Sequence, residues 1–78
     1  MRDVVVYLAR ALVDEPDRVT VEELPSGRGL IYEVRTAPDD VGKLIGRGGR
    51  TVKALRRVVK AVAPKGRRVE VEVLAEGE

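Results

Sequence analysis

Apolar residues recur along this chain with two different periods, and the points where the period changes divide it into helical and extended segments. Residues 3–13, DVVVYLARALV, place Val4, Val5, Leu8, Ala11 and Leu12 at helical spacing. This predicts a first helix with one apolar face and Asp3 at its N-cap. DEPD at 14–17 ends it, because Pro16 disfavours the helical conformation of the residue before it. RVTVEEL at 18–24 and GLIYEVRTA at 29–37 then alternate with period two. In the second run Leu30, Tyr32 and Val34 fall on one side and Ile31, Glu33 and Arg35 on the other. The Pro/Ser/Gly connection PSGRG between them predicts an antiparallel hairpin.

The helical period returns in APDDVGKLIG, where Pro38 suits a first helical position and Asp39 and Asp40 suit the first turn, as capping acids. Val41, Leu44 and Ile45 give this short helix one apolar edge, and the glycines at 46, 48 and 49 stop it. A longer helix is expected from Arg50 to about Val62 or Ala63, ended by Pro64 and Gly66. Val52, Leu55, Val58, Val59 and Val62 form its apolar face, with Arg50, Lys53, Arg56, Arg57 and Lys60 on the neighbouring one. RRVEVEVL closes the chain as a strand with Val69, Val71 and Val73 inward, followed by a frayed AEGE tail. The order helix, strand, strand, short helix, longer helix, strand predicts a two-layer α+β domain, with three strands covered on one face by three helices. All 78 residues are assigned to one domain.

Charge changes this picture from a fold to a surface. Between Gly42 and Arg68 there are ten cations and no acid, while the rest of the chain holds five cations against thirteen acids. A net charge of +2 therefore conceals a strongly positive region suited to a polyanion. Cysteine and histidine are both absent, which removes disulfides, the usual metal ligands and the usual general base. No nucleophile–base pair can be assembled in the basic window, where Thr51 is the one hydroxyl, so an enzyme is the least favoured class. No apolar run approaches the ~20 residues of a membrane span. The N-terminal MRDVVVYLAR, with an acid and an arginine around its apolar run, does not fit a secretory signal, so a cytoplasmic location is expected.

The densest part of the basic window, IGRGGRTVK at 45–53, is also the richest in glycine. Two helices joined by GRGG expose backbone amides with no side chains in the way, and the first amides of the second helix lack intrahelical acceptors. With Arg47 and Arg50 alongside, such a turn is suited to a phosphate, and glycine lets a sugar-phosphate backbone lie close. The Walker A and dinucleotide-binding patterns do not fit: the first lacks its Lys-Ser/Thr ending, and Thr51 occupies a position where the second requires glycine.

VGKLIGRGGRTVKALR at 41–56 resembles the core of a KH domain, an Ile-Gly-x-x-Gly element followed by a basic amphipathic helix. The element order is similar to the type II arrangement, and ALVDEPDRV extends the resemblance to small bacterial single-KH RNA-binding proteins of the KhpA type. This resemblance implies that Gly46, Arg47, Gly48 and Gly49 clamp the backbone of about four unpaired nucleotides. It implies further that Lys43, Arg50 and Lys53 flank the strand, that Ile45 with the edges of Val41 and Ala54 offers apolar groove surface, and that Arg28 in PSGRG sits in a variable loop. Gly48 departs from the pattern, since many members carry a larger polar residue there, and implies a more flexible clamp.

Single-stranded RNA is therefore the expected partner, in a post-transcriptional or RNA-chaperone-like role, with no cofactor, metal or small-molecule substrate. No Asn or Gln is present to read bases, so affinity is expected to rest on phosphates. The alternative is an interaction subunit that forms a homodimer, or a heteromer with a larger KH-containing RNA-binding protein. Binding of the basic helix to a membrane surface is disfavoured, because the domain needs that helix's apolar face for its core. For Arg56 and Lys60 a solvated helix face explains the charge equally well. Lys65, Arg67 and Arg68 are expected in part to balance Glu70 and Glu72.

Overall fold

A computed structural model describes residues 1–77 and has the expected order of elements. Helix α1 spans Arg2–Leu12, strands β1 and β2 span Thr20–Ser26 and Gly29–Thr36, α2 spans Val41–Ile45, α3 spans Arg50–Val62 and β3 spans Val69–Ala75. Single 3-10 turns at Pro16–Arg18, Pro38–Asp40 and Arg47–Gly49 join them.

β2 is the central strand of the sheet. It pairs antiparallel with β1, with Val21 opposite Val34, and parallel with β3, with Leu30 opposite Val69. A hairpin suffices for the first pairing, whereas the second needs a crossover, which α2 and α3 provide. The hairpin is tighter than PSGRG suggested, because Pro25 and Ser26 belong to β1 and only Gly27 and Arg28 form the turn. Pro25 is tolerated because β1 is an edge strand. Gly29 is required by close packing, since a Cβ there would overlap the carbonyl oxygen of Arg68, which accepts the Leu30 N–H at 2.8 Å.

The core lies between sheet and helices. Val21, Tyr32, Val34, Val69 and Val71 supply the sheet side, and Val5, Ala9, Leu44, Leu55 and Val59 supply the helix side. Tyr32 is fully buried, as the alternation predicts, and its hydroxyl donates to Glu23 Oε1 at 2.9 Å. Each buried Val or Leu side chain contributes about 1.5–3 kcal/mol by leaving water.

Several expectations are corrected here. Asp3 lies inside the first turn of α1, which has Met1 at its N-cap and no side-chain cap. Asp40 holds the N-cap position of α2, but its side chain makes no cap bond: it is 2% exposed, and its carboxylate accepts the Asp14 and Glu15 N–H groups at 3.2 and 3.0 Å. The apolar face of α3 is wider than the core it covers, so Leu55 and Val59 are buried while Val58 and Val62 are 43% and 54% exposed. Leu12 likewise faces solvent. The tail is engaged further than expected. Ala75 ends β3, the Glu76 N–H donates to the Thr36 carbonyl at 2.7 Å, and the Glu76 side chain pairs with Arg18. Glu78 lies outside the described residues.

Candidate nucleic-acid interface

The glycine loop is a compact turn with three left-handed or otherwise glycine-favouring positions. Gly46 ends α2 at φ +76 and donates its N–H to the Gly42 carbonyl at 2.8 Å. Gly48 lies at φ +64, and Gly49, the N-cap of α3, at φ +79. The Gly49 N–H donates to the Gly46 carbonyl at 3.0 Å, which closes the turn. No side chain caps α3; the Arg50 N–H donates to the Arg47 carbonyl within the turn, and the positive end of the 13-residue helix lies beside the loop.

The three glycines serve different needs. A Cβ on Gly46 would overlap the Thr51 side chain and come 2.8 Å from the Thr51 backbone nitrogen. Gly48 has open space around it, and Gly49 would meet only Lys53 Cε at 3.8 Å. The first glycine is thus fixed by packing and conformation together, the other two by conformation alone.

Around this turn the expected residues gather unevenly. Arg47, Arg50 and Lys53 are exposed, and the Lys53 stem lies close to Gly49. Ile45 is exposed at the end of α2. Arg50 and Ala54 border an apolar groove of about 310 Å³ between α1 and α3, lined also by Leu8, Leu12 and Val58. Lys43, also exposed, has acidic partners. It pairs with Asp14, which raises its pKa, and its amine is 4.0 Å from Asp40 Oδ1. Arg56 is also taken, by Glu70 at 3.2 Å, in an ion pair joining α3 to β3. That balancing role had been expected of Lys65, Arg67 and Arg68. Among the described residues no group of His, Cys, Asp and Glu is placed to hold a metal ion, and no helix is long and apolar enough to cross a membrane.

An α-β-β-α-α-β chain with a Gly-x-x-Gly turn between its last two helices is a KH domain of the type II arrangement. The family model described as KhpA/KhpB, KH domain, matches residues 2–73, and the chain belongs to that family. Among its relatives, a Mycobacterium tuberculosis protein is 51% identical over 69 residues, covering 88% of this chain and 86% of the relative. A Halalkalibacterium halodurans protein is 49% identical over 75 residues, covering 95% of this chain and 99% of the relative. A Clostridium acetobutylicum protein is 44% identical over 75 residues, covering 95% of this chain and all of the relative. Each of these relatives is named RNA-binding protein KhpA. No solved structure gives a significant match to the chain.

Sequence reasoning missed two features of this region, the buried carboxylate of Asp40 and the exposed end of the apolar face of α3. The second had a signal: five apolar positions on α3 exceed what one short sheet can cover, and Leu12 is left over on α1 in the same way.

Proposed function

We propose that this chain binds short single-stranded RNA, clamping its backbone at Gly46–Gly49, and acts after transcription as an RNA-binding or RNA-chaperone-like protein in the cytoplasm rather than as an enzyme. The observation that carries this reading is the open glycine turn at the positive end of α3, which lies beside the exposed cations Arg47, Arg50 and Lys53. The names of the relatives support it. Phosphates approach the turn because Gly48 and Gly49 carry no side chains, while Ile45 offers an apolar edge to a neighbouring base. Charge reversal at the loop tests it. The Arg47→Asp, Gly48→Asp double variant, once shown to be folded, should lose affinity for a labelled single-stranded RNA; retained affinity would remove the loop from the site.

A second reading, compatible with the first, is pairing with another KH-containing chain, either a second copy or a larger RNA-binding protein. The groove lined by Leu8, Leu12, Ala54 and Val58 favours it, because Leu12, Ala54 and Val58 stay open to solvent on an otherwise highly charged domain. Pairing would raise RNA affinity through avidity without new RNA contacts. Val58→Glu should shift a concentration-dependent sedimentation profile toward monomer while leaving the fold intact. Identical profiles for both proteins would dismiss the groove as a self-association surface.

A further inference from the structure

Reading the glycine loop as a strand clamp leaves the buried carboxylate of Asp40 unexplained. A buried carboxylate is tolerated only when its oxygens are hydrogen-bonded, and both are: Oδ1 accepts the Asp14 N–H and Oδ2 the Glu15 N–H. Those two amides belong to the connection leaving α1, 25 and 26 residues earlier in the chain. One side chain therefore joins the exit of α1 to the start of α2.

Neighbouring contacts extend this junction. Lys43, one turn beyond Asp40, pairs with Asp14 and so bridges the same two segments from outside. Glu15 pairs with Arg18, Arg18 with Glu76, and the Glu76 N–H returns to the Thr36 carbonyl on the strand that leads into Asp40. Helix α2 needs such support. Its five residues are too few to hold a helix in water, and Leu44 is its one fully buried side chain. Its last residue, Ile45, runs directly into Gly46.

We propose that Asp40 is the positioning residue of the glycine loop: by fixing the start of α2 to the α1–β1 connection, it holds Gly46–Gly49 in its binding conformation before RNA arrives. This inference rests on the reading of the loop as a strand clamp. Ordering a free backbone costs about 1–2 kcal/mol per residue, and a loop already held in place does not incur that cost on binding. Lys43 then belongs to the clamp of the fold and not to the strand.

Asp40→Asn tests the proposal, because it keeps the shape but turns an amide donor toward a backbone N–H. In the RNA-free variant the Gly46 and Gly49 amides should exchange with solvent faster by roughly tenfold or more, the effect of losing one charge-assisted buried bond. Affinity for single-stranded RNA should fall, with the slope of log affinity against log salt unchanged, since no phosphate-binding cation is removed. Faster exchange confined to Asp14 and Glu15, with unaltered exchange at Gly46 and Gly49, would overturn the proposal. Should the variant not fold, native-state exchange of the unmodified protein decides the matter. The amides of Asp14, Glu15, Gly46 and Gly49 should open as one cooperative unit, and independent opening of the loop pair would overturn it. Both exchange measurements are made without RNA, so a failure of the RNA-binding reading itself would be recognised separately.

Discussion

Gly46, Gly48 and Gly49 look interchangeable in a Gly-rich string, yet their surroundings separate them. Gly46 is pressed against Thr51, so Gly46→Ala combines a left-handed penalty with overlap and should cost ~3 kcal/mol or more. Gly48 stands in open space, so Gly48→Ala should cost only the conformational term of about 1–2 kcal/mol. Urea denaturation of the two variants checks the ranking, and equal losses would contradict it. Tyr32 shows a different residue-level effect. Burial first, then the hydrogen bond and charge of Glu23, push its phenol up to about 12 from 10. The unfolded phenol ionises near pH 10 and the folded one only near 12, so its contribution to stability is complete below pH 10 and lost as pH rises toward 12. Relative to Tyr32→Phe, the unmodified protein should lose ~2–3 kcal/mol across that window; parallel stability curves would contradict the assignment.

At the scale of elements, the fold was largely legible in the chain. Period-two and helical runs marked every strand and helix, because each element buries one face and the burial leaves its period in the residue order. The stretch PSGRG overstates the length of the Ser26–Gly29 turn, since Pro25 reads as a loop residue until the edge position of β1 is known. Apolar spacing on α3 marked a face but could not say how much of it the sheet covers. Coverage depends on where α1 lies, and α1 leaves Val58 and Val62 open. The candidate site was legible at Arg47, Arg50 and Lys53, where local charge and glycine coincide. It was not legible at Lys43 and Asp40, whose partners Asp14 and Glu15 lie far away in the chain and meet them only through tertiary packing. Acids at a helix start usually serve as caps, and that local rule gave way here to a longer-range contact.

For the whole molecule, charge segregation in the chain becomes segregation in space. The solvent side of the sheet carries a row formed by Glu22, Glu33 and Glu72, which lie opposite one another on adjacent strands, with Arg35 paired to Glu33 in its middle. The two outer carboxylates, Glu22 and Glu72, are exposed and would repel a phosphate chain. The exposed cations of the loop and α3 lie instead on the helical layer, the face on which we propose that nucleic acid binds.

The central claim is that this layer grips RNA at the loop and not as a diffuse positive surface. Fluorescence anisotropy with a labelled single-stranded RNA across a salt series tests it most directly, comparing the unmodified protein with the folded Arg47→Asp, Gly48→Asp variant. Three phosphate contacts, from Arg47, Arg50 and Lys53, should give the unmodified protein a log–log salt slope of about −2, and the variant should bind weakly at every salt concentration. Equal affinities and equal slopes for the two proteins would mean that the loop does not hold the strand.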